Sequence, residues 1–221
     1  LYTRVALEKD NGPYIAVCPV NHTGDRHSPS AWKMTNAMPS WSWTGCEGQK
    51  ASIEVYARAA RVELWLNGHI VGRKALKNDC LAKFSVPYEP GRLEAVSYDA
   101  QGCELGRCTL TTAGQQTQIT AGPEQSSVQA GHLCYIRLRY TDEKGITKPL
   151  ARGNIKVEVD GGTLVGLGNA CPYHERSYLD CVADTYYGEA LAIVRAGEEN
   201  SLTLTADDGM YSTAVTVPVT H

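Results

Sequence analysis

The sequence predicts an all-β chain that folds as two consecutive antiparallel β-sandwiches preceded by an irregular N-terminal tail. Short runs in which apolar and polar residues alternate recur along the chain, as expected of strands with one buried face. Turn-forming residues separate these runs, since the 221 residues include 21 Gly and 10 Pro. Helical periodicity is hard to find, and strands without intervening helices are typical of an antiparallel sandwich.

The first forty residues fit neither sandwich, and we assign residues 1–40 to the tail. They contain one apolar run, predicted as a strand from Tyr14 to Val20, followed by a polar stretch that resembles a loop. Segments of this kind connect or cover other structure rather than forming a core. The chain starts with Leu1 rather than Met, and we therefore interpret it as a fragment that follows another domain.

The first sandwich is predicted between residues 41 and 118. A run of alternating residues ends at Asn67-Gly68, which is the dipeptide favoured in a two-residue hairpin because both turn positions need a positive φ. The pattern in Leu93–Tyr98 does not decide which face points inward. The strands predicted here are Ile53–Ala57, Val62–Leu66, His69–Arg73, Lys83–Val86, Arg92–Tyr98 and Glu104–Thr111.

The second sandwich is predicted between residues 119 and 221. It follows a polar junction, Thr111–Gln129, that is rich in Gln, Thr and Ser. Alternation then starts again, and this pattern predicts a second all-β unit. The strands predicted here are Cys134–Tyr140, Ile155–Val159, Leu164–Leu167, Ala190–Val194, Leu202–Ala206 and Ala214–Val219.

The composition argues against several kinds of partner. With 21 Lys+Arg against 24 Asp+Glu, the net charge is −3, so the chain has no surplus of cations to bind nucleic acid through its phosphates. No apolar run approaches the roughly 20 residues that a membrane helix needs. We therefore expect neither nucleic acid nor membrane as a partner.

The cysteines and histidines do not predict a disulfide framework, a metal site or a cofactor. The 8 Cys are irregularly spaced without a C-x-x-C pair, so we interpret them as free core thiols in a cytoplasmic protein, with a periplasmic or secreted location left open. His22, Asp25 and His27 are interpreted as an ordinary polar loop rather than metal ligands. Gly166-x-Gly168 lacks the third glycine of a nucleotide-binding fingerprint.

Both predicted sandwiches carry ordered motifs that resemble one enzyme family. The motifs are Trp41-Ser42-Trp43-Thr44-Gly45-Cys46-Glu47-Gly48, Ile53-Glu54-Val55-Tyr56, Val62-Glu63-Leu64-Trp65-Leu66-Asn67-Gly68, Asp142-x-x-Gly145, Val157-x-Val159-x-Gly161-Gly162-Thr163-Leu164-x-Gly166-x-Gly168-Asn169 and Tyr187-Gly188-x-Ala190-Leu191-Ala192-Ile193-Val194-Arg195-Ala196-Gly197. Over roughly residues 20–221, this set resembles the two Ig-like β-sandwich domains that follow the catalytic barrel in bacterial β-galactosidases of glycoside hydrolase family 2.

The resemblance implies an intact enzyme that hydrolyses terminal β-galactosides with retention, using two Glu residues held on a barrel. That barrel is not in this chain, so we assign no catalytic residue and expect the chain to be inactive by itself. The implied partner is the N-terminal catalytic barrel of the same polypeptide, which the sandwiches would brace while shaping the rim of the galactoside pocket. The interpretation also allows carbohydrate contacts and a homo-oligomer of the intact enzyme.

Four tryptophans and one glutamate are candidate contacts with carbohydrate or with the barrel: Trp32, Trp41, Trp43, Glu47 and Trp65. Tryptophan rings can stack on a sugar, and they also bury large areas at domain interfaces. Glu54 and Glu63 lie on the polar phase of their strands, so we expect them to face solvent rather than to form a catalytic pair. The loop Cys171–Tyr178 is expected to be a plain connection between strands, although contact with a ligand stays open.

Three other interpretations stay open. The chain could be a stand-alone carbohydrate-binding module in which Trp41, Trp43 and Trp65 form the stacking platform. It could be an extracellular array of Ig-like adhesive domains if its thiols are paired. It could also be the same region of a β-glucuronidase or β-mannosidase, because accessory domains do not fix the preferred sugar.

Overall fold

The protein is described by a computed structural model that covers residues 1–7, 10–23, 35–76, 80–173 and 176–221. These residues form sixteen β-strands, one short helix, α1 (Tyr2–Ala6), and one 3-10 turn, Val20–His22. They divide into two compact units, Leu1–Thr112 and Ala113–His221. Each unit contains two β-sheets, so the predicted all-β sandwich architecture is confirmed.

The first unit is built from seven antiparallel strands. They are β1 (Tyr14–Val17), β2 (Lys50–Tyr56), β3 (Arg61–Leu66), β4 (His69–Ala75), β5 (Leu81–Pro87), β6 (Arg92–Tyr98) and β7 (Glu104–Thr111). One sheet has the order β1-β2-β5 and the other β4-β3-β6-β7. The inward phases of these strands form the core, in which Ile53, Leu64 and Leu93 are almost fully buried.

The hairpin between β3 and β4 has the turn that its sequence predicts. Asn67 and Gly68 have φ angles of 49° and 85°, which is the positive-φ pair of a type I′ turn. Leu66 is paired with His69 across this turn. The returning strand reaches Ala75, two residues beyond the predicted end at Arg73.

Part of the predicted tail belongs to the first sandwich. Strand β1 pairs with β2, and Tyr14 lies opposite Tyr56. This pairing satisfies backbone groups of β2 that would otherwise be unpaired at the edge of the sheet. On the same side, Val5 of α1 packs with Ala16 and Tyr56. The Arg58 guanidinium donates hydrogen bonds to the carbonyl oxygen of Val5 at 3.2 and 3.1 Å. Strand β1 and helix α1 are therefore held by contacts with β2 and Arg58. The local sequence pattern does not reveal these contacts, because they involve residues about 40 to 50 positions away.

The second unit is built from nine strands. They are β8 (Gln118–Pro123), β9 (Val128–Gln129), β10 (Leu133–Thr141), β11 (Asn154–Asp160), β12 (Gly162–Gly168), β13 (Val182–Asp184), β14 (Glu189–Ala196), β15 (Ser201–Asp207) and β16 (Ser212–Thr220). The sheets have the orders β12-β14-β10-β8 and β13-β11-β15-β16-β9. The buried core between them includes Ile136, Leu138, Ile155 and Leu204.

The division between the units lies at Thr112, six residues before the boundary expected from composition. Residues 113–117 are tied to the second unit by two side chains. Asp142 Oδ2 accepts a hydrogen bond from the Gly114 amide at 2.7 Å. Lys148 Nζ donates to the carbonyl oxygens of Gln115 and Gln116, each at 2.9 Å. These bonds join distant parts of the sequence, so the polar composition of the segment could not reveal them.

Candidate functional site

Trp41 and Trp43 are core residues of the first unit. Both side chains have no solvent-exposed area. The Trp41 ring meets Tyr88 edge to face, with 4.8 Å between the ring centroids, and its Nε1 donates to the carbonyl oxygen of Glu89 at 3.0 Å. The Tyr88 hydroxyl accepts a hydrogen bond from the Trp43 amide at 3.0 Å. Neither tryptophan offers a ring face to a sugar in this structure, because the rings already pack within their own unit.

Two other candidate residues of the first unit, Trp65 and Glu47, are described by the structure. Trp65 is half-buried on the outward phase of β3, and its Nε1 is buried without a hydrogen-bond partner in the described structure. Glu47 is exposed, and its Oε1 accepts a hydrogen bond from the Gly45 amide at 3.1 Å. Trp32 lies outside the described residues. Among the described candidates, Trp41 and Trp43 share a neighbour, because both contact Tyr88.

The expectation that Glu54 faces solvent is wrong, because its side chain is only 6% exposed. Lys83 Nζ lies 2.9 Å from Oε1, and the Tyr56 hydroxyl donates to Oε2 at 2.6 Å. Burial raises the pKa of Glu54, but the hydrogen bonds from Tyr56 and Lys83 outweigh it and hold the pKa below its ordinary value. Burial, together with the same carboxylate, raises the pKa of Tyr56. Glu54 is thus an ionised structural group.

The expectation for Glu63 is also wrong, and a neighbouring glutamate behaves in the same way. Glu63 and Glu94 are each 8% exposed on the outward face of the β4-β3-β6-β7 sheet. Glu63 pairs with Arg73 at 2.9 Å, and Glu94 pairs with Arg92 and Arg107. Long arginine side chains lie over the sheet and cover the carboxylates, which alternation alone does not predict.

These acidic residues do not form the site of a glycosidase. A retaining enzyme needs two carboxyl groups about 5–5.5 Å apart in a cleft, one of them available as an acid. Glu54, Glu63 and Glu94 are instead each neutralised by a cation. Within the described ranges, no cluster of three or more His, Cys, Asp or Glu could hold a metal ion. His22 is described, whereas Asp25 and His27 are not. No described helix is long and apolar enough to cross a membrane.

A cavity of about 590 Å³ lies on the second unit, against the outward face of β10, β12 and β14. We call it the Tyr178 pocket and define it by Arg137, Asn169, Tyr178, Tyr186, Glu189 and Ile193. A register shift between Leu164 and Gly166 interrupts the pairing of β12 with β14 beside the pocket. Asn169, Ala170 and Tyr178, which follow β12 in the chain, line part of the pocket.

The pocket wall is fixed by backbone and side-chain hydrogen bonds. The Leu167 amide donates to the carbonyl oxygen of Tyr178 at 2.8 Å, which pins the loop to β12. Asn169 Nδ2 donates to the carbonyl oxygen of Asp184 at 3.0 Å, and its Oδ1 accepts from the Cys171 amide at 2.8 Å. His174 and Glu175, which belong to the same loop, lie outside the described residues.

Tyr186 also lines the pocket, and it was not identified from the sequence. It begins a tight turn in which Tyr187 and Gly188 have φ angles of 50° and 75°. Its backbone pairs with Glu189, and its ring packs edge to face on Tyr187 with 4.6 Å between the centroids. The sequence does contain one indication of this pocket. Residues on both faces of β14 are apolar, so the outward face is expected to be covered.

Comparison with family models assigns the two units separately. Residues 118–216 match the model described as glycoside hydrolase family 2 C-terminal domain 5. Residues 48–106 match a model described as a domain of unknown function, DUF4982. Each match falls within one of the two structural units.

Solved structures with a similar fold span nearly the whole chain. Two structures of a glycosyl hydrolase family 2 member from Bacteroides cellulosilyticus superpose with TM-scores of 0.86 and 0.83, at 30% and 29% identity. They cover 100% and 98% of this chain, which in turn covers 30% of each of those chains. A β-glycosidase from Bacteroides vulgatus, 22% identical, shares the fold with a TM-score of 0.75 over 97% of this chain and 26% of its own.

A curated relative is a protein of Formosa agariphila whose name proposes β-glucuronidase activity. It is 34% identical over 90 residues, which is 39% of this chain and 9% of that protein. This chain therefore spans about a third or less of the length of the relatives and solved structures that it resembles here. Residues 118–216 are thus similar to a C-terminal domain of glycoside hydrolase family 2, and the fold of the chain is that of the corresponding part of a family 2 structure.

Proposed function

We propose that this chain is a non-catalytic accessory region of a family 2 β-glycosidase and braces a catalytic barrel in the same polypeptide. The supporting observation is the superposition on the Bacteroides cellulosilyticus protein, in which all of this chain corresponds to 30% of a family 2 chain. The glutamates of the first unit support the proposal further, since each buried carboxylate is held by a cation and serves the sheet that carries it.

The substrate of the whole enzyme is proposed as a terminal β-galactoside, on the basis of the ordered motifs in both units. A β-glucuronide is the second candidate, and the name of the Formosa agariphila relative favours it. Accessory domains do not determine which sugar a barrel accepts, so the substrate must be tested on the whole protein. A β-mannoside serves as a third test substrate.

The experiment compares the whole protein with this chain alone on p-nitrophenyl β-galactoside, β-glucuronide and β-mannoside. We expect the whole protein to hydrolyse one of them and the chain alone to hydrolyse none. Turnover by the purified chain at a rate near that of the whole protein would overturn the proposal.

A second experiment tests the bracing role. A protein truncated before this chain should lose activity on heating sooner than the whole protein, and equal half-lives would contradict bracing.

A cytoplasmic location remains part of the proposal. All eight cysteines are free in the structure, and free thiols persist in a reducing compartment. Subunit contacts through these units are likewise proposed for the whole enzyme, and sedimentation of the whole protein and of its truncated form would test them. An unchanged oligomeric state after truncation would argue against such contacts.

A further inference from the structure

The Tyr178 pocket is lined by apolar side chains on the outward face of the β12-β14-β10-β8 sheet, where polar residues are usual. Leu191 and Ile193 lie on the outward phase of β14 and are half-buried. Tyr178 and Tyr186 add two aromatic rings to the lining, and the Tyr178 side chain is 54% exposed. The cavity of about 590 Å³ falls within the range of roughly 300–1,000 Å³ that is typical of small-molecule sites.

Two charged side chains of opposite sign line the same cavity. Arg137 Nη2 pairs with Glu124 Oε1 at 3.1 Å, and the other N–H groups of the guanidinium can still donate hydrogen bonds. The Glu189 side chain is half-buried and makes no hydrogen bond or ion pair with another described residue. The pocket thus has the Arg137 guanidinium as a hydrogen-bond donor and the Glu189 carboxylate as an acceptor beside its aromatic rings.

These features define the chemistry of a fitting ligand. A purely aliphatic ligand would cover Glu189 and Arg137 without replacing the hydrogen bonds that water makes to them, which is costly. An anion would meet the Glu189 carboxylate, and a cation would meet the Arg137 guanidinium. A neutral ligand with hydroxyl groups and apolar ring faces satisfies both charged groups and packs against the tyrosine rings.

We propose that the Tyr178 pocket is a non-catalytic binding site for a neutral carbohydrate, in which a pyranose ring packs on Tyr178 and Tyr186 and its hydroxyl groups bond to Arg137 and Glu189. The site differs from the platform of Trp41, Trp43 and Trp65 considered from the sequence. It requires no catalytic domain, so it stands or falls independently of the substrate of the whole enzyme.

The direct test is titration of the purified chain with galactobiose, cellobiose and gentiobiose, followed by calorimetry and by amide chemical shifts. We expect saturable binding of at least one disaccharide with a dissociation constant on the order of 1 mM. Shifts should concentrate on β14 and on Asn169, Ala170 and Tyr178. Glucuronic acid should bind more weakly than the neutral sugars because of Glu189.

Variants of the tyrosines then assign the site. Tyr178→Ala and Tyr186→Ala should each weaken binding about tenfold through loss of ring packing, whereas Tyr178→Phe should retain it. Tyr173→Ala is the matched control, since Tyr173 lies on the same loop, is 88% exposed and does not line the pocket. Thermal unfolding of each variant verifies that the unit still folds.

Several results would overturn the proposal. They are the absence of saturable binding to all three disaccharides, an equal loss of affinity in Tyr173→Ala, and preferential binding of glucuronic acid. Binding that occurs in the chain but disappears in the whole protein would also overturn it, because another part of the polypeptide would then occupy the pocket. A catalytically inactive whole protein that still binds the disaccharide would leave the proposal intact while refuting the proposed enzyme activity.

Discussion

The two units differ in what covers the outward faces of their sheets. In the first unit, Glu54, Glu63 and Glu94 occupy outward positions, yet they are buried beneath lysine and arginine side chains. In the second unit, Leu191 and Ile193 occupy outward positions and line an open cavity. The first unit closes its outward faces with ion pairs, whereas the second keeps a concave apolar surface. We therefore propose a scaffolding role for the first unit and ligand binding for the second.

The largest expected effect concerns the aromatic core of the first unit. Trp41→Ala should lower its free energy of unfolding by about 3–5 kcal/mol, because the buried ring leaves a cavity. Trp65→Ala is the control and should cost less, since Trp65 is only half-buried. All 4 Trp of the sequence precede residue 113, so tryptophan fluorescence during urea unfolding reports on this unit alone. Equal losses in the two variants would contradict the core role of Trp41.

Local features of the fold could be predicted from the sequence, whereas the burial of outward-facing residues could not. Alternation and turn residues identified most strands and the Asn67-Gly68 hairpin, because these are local properties of the chain. In β6, by contrast, Leu93 and Ala95 point inward while Val96 on the outward face is also fully buried. Coverage of an outward face comes from distant residues, such as Arg107 over Glu94, and local periodicity cannot report it. The Tyr178 pocket was missed for the same reason.

The second largest effect concerns Asp142, in the turn that follows β10 of the second unit. The buried Asp142 carboxylate accepts hydrogen bonds from the amides of Gly114, Lys144 and Ile146 at 2.7, 2.9 and 2.8 Å. Asp142→Ala leaves three donors without this acceptor, so the second unit should lose about 2–3 kcal/mol of stability. Amide hydrogen exchange, which resolves the two units, measures the loss. Asp142→Asn retains an acceptor and should lose less, and an equal loss would point to packing rather than to these bonds.

Acid should affect the first unit partly through Glu54. Because its folded-state pKa lies below the ordinary value, its contribution to stability is fully present above the unfolded pKa of about 4.3 and is lost as the pH falls through the folded pKa. Glu54→Gln should therefore show a smaller loss of stability between pH 6 and pH 3 than the wild type, as measured by urea unfolding followed by tryptophan fluorescence. An unchanged pH dependence would mean that Glu54 and Lys83 are not coupled in solution.

The smallest effect leaves stability unchanged and compares the thiols of the two units. Each unit has one buried and one exposed thiol in this set: Cys46 and Cys103 in the first, Cys134 and Cys181 in the second. Burial raises the pKa of the Cys46 and Cys134 thiols, which lowers their thiolate fraction and their reactivity. Iodoacetamide labelling followed by mass spectrometry should modify Cys103 and Cys181 first in the native protein. After unfolding without reductant, all eight cysteines should react. A pair that stays unmodified would reveal a disulfide and would revive the interpretation of an extracellular adhesive array.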